Sequence, residues 1–224
     1  MTYVGIDACK RGWIVVELSG DDVVVHHLRQ LSELQIKVPG AEIVGIDMPI
    51  GLPEQGRRAA DDAAKQILHK RSSSVFYVPV RAVLEASTHS EATRVARELT
   101  GQGVSQQSFS LGPKIFEVER WLPSVPCPVR EVHPELSFWR LDTDGITASK
   151  KTWAGAMQRV RALKKAGIDL DRAAGNGGEF GAVDDVLDAA VAAWSARRIL
   201  RGQGECVPDL VDRPSDKAEP AIWY

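Results

Sequence analysis

Three cysteines in 224 residues, Cys9, Cys127 and Cys206, are too few and too widely spaced for a disulfide scaffold, and they form neither a CxxC pair nor a zinc-knuckle spacing. That usage fits a reducing compartment. Long apolar runs are missing as well: no stretch approaches the roughly 20 apolar residues of a membrane span, and MTYVGIDACK carries an acidic residue where a signal peptide would be apolar. The sequence therefore predicts a soluble, cytoplasmic protein with no membrane partner. Nor is there an excess of charge of one sign, since 28 Lys and Arg face 30 Asp and Glu for a net charge of −2. No global positive field recruits nucleic acid, and any such contact must come from local patches. Aromatic residues are 6% of the chain. Trp13, Trp121, Trp139, Trp153, Trp194 and Trp223 are too scattered for a stacking platform and are expected mostly in the core. There is no internal repeat and no low-complexity segment beyond the glycine-rich AAGNGGEFG.

What is present is ordinary globular material, 44% hydrophobic, enough for one large domain or one domain with an insertion. Residues 3–8, 12–18 and 22–28 are β-rich runs separated by KR and SGD, which predicts an antiparallel meander. A short helical segment, RQLSELQIKV, leads to a fourth strand in AEIVGIDMPIGLP. From about residue 53 to 123 the pattern turns helical, around the loop RSSSVFYVPVR, and predicts a helical insertion. A fifth strand, PVREVHPE, follows, then a helix over 149–167, the glycine-rich loop, a last long helix from Val183 to Arg201, and a packed tail EPAIWY.

Carboxylates stand out against this background. Asp7 and Asp47 end matching runs, YVGID and IVGID, at the carboxyl ends of two predicted strands. Either one alone also fits a turn former or a helix cap. In DDVLDA, helical spacing places Asp184, Asp185 and Asp188 within an arc of about 100°, opposite Leu187, Val191 and Trp194. Asp184 and Asp185 also suit the positive end of a helix dipole, whereas Asp188 lies a turn further in. Gathered carboxylates repel by roughly 4 kcal/mol per pair at an effective dielectric of 20, and hard divalent cations are the usual compensation. Mg²⁺ or Mn²⁺ is the implied cofactor, with Asp7, Asp47, Asp185 and Asp188 as candidate ligands, in an arrangement suited to phosphoryl transfer. On that basis an asparagine at Asp7 or Asp188 should relieve repulsion and stabilise the metal-free protein.

The order of three antiparallel strands, helix and strand, with aspartates in GIDACKRGW, IDMPIGLP and DDVLDA, resembles the ribonuclease H-like fold. With RSSSVF, PKIFEVE, EVHPELSF and IWY added, the whole chain resembles the predicted RNase H-like nuclease family also called domain of unknown function 429. The resemblance implies a mixed five-stranded α/β sheet flanked by helices, and a metal-dependent nuclease acting on DNA, RNA or another phosphodiester.

Further candidates are less specific. On a strand over 129–133, Glu131 and His133 would share a face, so Glu131 or Glu135 could complete the metal set or serve in proton transfer. His133, ahead of Pro134, equally fits a turn histidine. Arg71, Ser73, Arg81 and Lys114 could contact a phosphodiester, as could Lys10 beside Asp7 and His133. RVRALKK at 159–165 reads as a solvated basic face, and Cys9 as packing. Two other functions compete with the nuclease. An actin-like phosphotransferase also starts with a glycine-and-aspartate hairpin, but it wants small residues where Cys9 and Lys10 stand. A non-catalytic binding module would have no need of the carboxylates.

Overall fold

A computed structural model describes residues 1–143, 145–209 and 220–224. In chain order its elements are β1 (Thr2–Cys9), β2 (Gly12–Ser19), β3 (Asp22–Leu28), α1 (Leu34–Lys37), β4 (Ala41–Asp47), α2 (Ala59–Leu68), α3 (Arg81–Leu84), α4 (His89–Thr100), α5 (Gln106–Ser110) and α6 (Gly112–Trp121). Then come β5 (Val129–Glu131), α7 (Pro134–Leu141), α8 (Trp153–Lys165), α9 (Val183–Leu200), β6 (Cys206–Val207) and β7 (Ile222–Trp223). The chain divides into two compact units, one of residues 1–48, 121–205 and 223–224, the other of residues 49–120 and 206–222.

The first unit holds a five-stranded sheet of order β3-β2-β1-β4-β5. β1, β2 and β3 form the antiparallel meander, while β4 runs parallel to both β1 and β5. This is a mixed α/β sheet flanked by helices, consistent with the ribonuclease H-like arrangement. The β-branched runs WIVVEL, VVVHHL and EIVGID suit a pleated, buried surface. Gly20, at φ +59, makes the β2–β3 turn without the steric penalty that a side chain would carry.

Alternation along β1 points Tyr3, Gly5, Asp7 and Cys9 to one face, and on β4 it sends Ile43, Gly45 and Asp47 to the same side. Helix α9 packs across this face against β1, β2 and β4. It approaches so closely because both surfaces are stripped of side chain where they meet. Gly5 and Gly45 are register partners, and α9 presents Ala189, Ala192 and Ala193. A Cβ on Gly5 would lie 2.0 Å from the Ala189 carbonyl oxygen and 2.2 Å from the Ala193 nitrogen, and one on Gly45 would lie 2.6 Å from the Ala192 oxygen. Around this contact Ile14, Val16, Leu18, Ile43, Phe138, Leu163 and Leu187 close the core. Each buried side chain of that size stabilises the fold by roughly 1.5–3 kcal/mol.

Several predicted boundaries move. The helix expected over 149–167 starts at Trp153, because Thr152 caps it, its Oγ1 accepting from the Gly155 amide at 3.1 Å. The last expected strand stops at Glu131, and Pro134 opens α7, an element the sequence reading did not contain. RSSS lies in a 3₁₀ turn over His69–Ser74, and the stretch 105–122 divides into α5 and α6. In the predicted tail Ile222 and Tyr224 are buried, while Glu219 lies outside the described residues. Trp13, Trp121 and Trp194 are core, but Trp153 is 80% exposed. Among the described residues no helix is long and apolar enough to cross a membrane.

Candidate metal centre

Asp7 and Asp47 are paired Cα to Cα on parallel strands, so one side of the sheet carries both carboxylates at the same strand end. Asp188 projects from α9, whose seat on Gly5 and Gly45 lies two residues back along each strand. Each of the three offers an oxygen within 4.8 Å of the others'. The glycine of each GID admits the helix, and the aspartate of each GID meets the carboxylate that the helix carries.

Burial makes this cluster electrostatically costly. Asp188 is 1% exposed, Asp7 8%, and Asp47 half-buried. Desolvation, then the charges of Asp47, Asp188 and Asp185, push the Asp7 carboxyl well above the usual carboxylate range. Asp47 rises well above that range too, through burial and the charge of Asp188, with smaller contributions from Glu131 and Glu135. Asp188 is pushed up to about 6 by burial, against the opposing pull of Lys150. Asp7 Oδ1 accepts from the Ala8 amide at 2.7 Å, and Asp188 Oδ2 accepts from the Lys150 ammonium. Asp188 Oδ1 is buried with no hydrogen-bond partner. A buried oxygen without a donor costs about 1–3 kcal/mol, more when it is charged, and a cation would satisfy it. The donor set, all carboxylate oxygen, suits a hard divalent ion such as Mg²⁺ or Mn²⁺.

The acidic face of α9 is divided among three tasks. Asp184 pairs with Lys151 on the surface, which holds its carboxyl below the usual range despite partial burial. Asp185 caps the helix, its Oδ2 accepting from the Ala182 amide at 2.8 Å, and its charge reaches Asp7 although it is not one of the three clustered groups. Only Asp188 joins the cluster.

The structure does not bring Glu131 and Glu135 into the cluster. Glu131 pairs in register with Ile46, so it faces the side of the sheet opposite Asp47. Glu135 stands in the first turn of α7, not on a strand, and its Oε1 accepts from Arg159 Nη2 at 2.6 Å. Arg159 is 1% exposed, which corrects the reading of RVRALKK as a wholly solvated face. His133 occupies the N-cap position of α7, and Lys10 is exposed on the β1–β2 turn. The expected phosphate ligands Arg71, Ser73, Arg81 and Lys114 belong to the second unit. There Arg81 is engaged by Glu119 and by Glu54 at 3.2 Å, and Lys114 lies 3.7 Å from Glu117. A guanidinium already held by two carboxylates is not an open phosphate site.

Lys150 and Arg159 are the residues that sequence reasoning missed. Thr152 was the available sign. As an N-cap it ends the helix before Lys150 and frees the two lysines to turn toward α9.

Fold and site together define an α/β protein whose mixed five-stranded sheet carries two aspartates that converge with a third from its last long helix. The chain belongs to the family described as Protein of unknown function (DUF429), whose model matches residues 5–213. Neither the curated proteins nor the solved structures gave a match.

Proposed function

We propose that this chain is a divalent-metal-dependent phosphodiester hydrolase of the RNase H-like class, a nuclease acting on DNA or RNA, with Mg²⁺ or Mn²⁺ as its cofactor. The observation that carries the reading is the convergence of Asp7, Asp47 and Asp188, with the buried oxygen of Asp188 left unsatisfied. These three residues would hold the ion, which when bound activates water and stabilises a leaving oxyanion. The chain's own groups prepare the place. The α9 seat fixes Asp188 over the two strand-end carboxylates, Lys150 offsets part of their charge, and burial keeps water from screening them. Lys10, exposed on the turn three residues after Asp7, is the cation to meet a substrate phosphate.

The test is an activity panel on structured and single-stranded DNA and RNA with Mn²⁺, run beside thermal melting with Mn²⁺ and, separately, with ATP. Cleavage and a melting shift in Mn²⁺ are expected, both lost in Asp7→Asn. Stabilisation by ATP would point instead to a phosphotransferase, and no response to either would point to a non-catalytic module.

A further inference from the structure

Lys150 is not an ordinary surface lysine. It is about a third exposed, 32% by side chain, and its ammonium sits on Oδ2 of Asp188, a carboxylate 2% exposed. Its turn is built to hold it there. Thr152 Oγ1 donates to the Ser149 carbonyl at 2.8 Å, and Arg159 Nη1 donates to the Ala148 carbonyl at 3.2 Å. Gly155 lets that turn lie against the first turn of α8, since a Cβ there would be 2.0 Å from the Ser149 oxygen. Three residues of α8 and its cap thus fix the segment that delivers Lys150, while Arg159 is itself anchored by Glu135.

The cluster offers three carboxylates, and one ammonium already stands against them. A pair of catalytic ions lies about 3.5–4 Å apart and is bridged by a carboxylate that faces both. At Asp188 one oxygen faces Lys150, and the other has no partner. Lys150 thus occupies the oxygen through which Asp188 would reach a second ion, and places a positive charge there.

We infer that Lys150 takes the place of a second cation, so that the site binds one divalent ion where the same three aspartates without the lysine would bind two. The inference rests on the metal reading proposed above and names how that site is loaded. An ammonium is a compact point charge with no ligand exchange, so it fills the electrostatic role while offering no water to activate. Lys150 is therefore a positioning residue that sets ion number.

The experiment counts Mn²⁺ bound to the full chain by isothermal titration and reads the bound ion by electron paramagnetic resonance. Wild type should bind one ion per chain, with the spectrum of an isolated centre. Lys150→Gln, which keeps length and polarity but removes the charge, should bind two, with the spectrum of a coupled pair. Lys150→Arg should return to one. Circular dichroism on each variant verifies the fold, and Lys150→Met, which also removes the charge and should bind two ions, takes the place of the glutamine variant if that one fails to fold. Two ions in wild type or in Lys150→Arg, or one in a folded Lys150→Gln or Lys150→Met, would overturn the inference. Mn²⁺ bound by none of them would defeat the metal reading itself, and the inference with it.

Discussion

Asp7 on β1 and Asp47 on β4 are register partners in a parallel pair, two residues beyond another such pair, Gly5 and Gly45. A single repeated tripeptide, GID, thereby builds both the seat of a helix and the two carboxylates beneath its acidic face. The helix supplies Asp188, and Lys150 reaches it from the turn before α8.

Asp7→Asn should abolish Mn²⁺-dependent cleavage and leave the fold intact, since the amide keeps the volume and its oxygen can still accept from Ala8. In EDTA the variant should be more stable than wild type by something on the order of 1 kcal/mol, because it removes a buried charge opposed by Asp47 and Asp188. Melting curves in EDTA and in Mn²⁺ check both parts. A variant that melts lower than wild type in EDTA would mark Asp7 as structural.

Asp188→Asn should also stabilise the metal-free protein at neutral pH, but by less than Asp7→Asn. Burial of the Asp188 carboxylate outweighs the pull of Lys150, so its removal brings relief, while the stranded ammonium takes part of that gain back. Melting curves of the two single variants in EDTA, with Lys150→Gln added in a double-mutant cycle, isolate the pair.

The metal-free protein should lose stability from this cluster as the pH rises. A carboxyl whose pKa is higher folded than unfolded contributes fully below its unfolded value, near 4, and that contribution is lost as pH climbs through the folded value. For Asp188 the window runs from about 4 to about 6, and for Asp7 and Asp47 it opens at the same lower edge. The stability gap between Asp7→Asn and wild type should therefore widen above pH 4 in EDTA. Bound Mn²⁺ should reverse the trend, because proton and ion compete for the same oxygens. Denaturant titrations across pH 4–8, with and without Mn²⁺, measure this; a flat gap in EDTA would count against the buried charges.

Gly5→Ala and Gly45→Ala should each destabilise the protein by roughly 1–3 kcal/mol or more, since the added Cβ meets α9 backbone that cannot rotate away. Because α9 carries Asp188, folded variants should also bind Mn²⁺ more weakly. Calorimetry of the apo proteins separates the two effects.

Glu135→Gln distinguishes a catalytic carboxylate from an anchoring one. Held to Arg159 in the interior, Glu135 should show its loss as a fall in stability of about 3–5 kcal/mol, with Arg159 left without its counter-charge. A variant as stable as wild type but inactive would return Glu135 to the chemistry.

The strands, the pairing of the two GID segments and the acidic face of the last helix were legible in the sequence, because each is a local pattern. Alternation marks a strand, a 100° step marks a helical face, and two identical strand endings invite the same placement. Spacing put Asp184, Asp185 and Asp188 on one face with Asp188 a turn further in, and packing then separated them into a surface ion pair, a helix cap and a buried member of the cluster. Glu131 and Glu135 became candidates because a strand expected over 129–133 put Glu131 and His133 on one face. A one-residue step of register turns Glu131 to the other face, and a proline-started helix carries Glu135 to Arg159. Lys150 could not be found by periodicity at all, since its partner lies 38 residues away and the contact depends on where a cap ends a helix. The sequence by itself determined which residues would be strand, helix and carboxylate, since those follow from local sterics and spacing. Which charges meet was decided only by the tertiary structure, because Coulomb attraction depends on distance through space, and that distance is set by the packing of α9 onto two glycines.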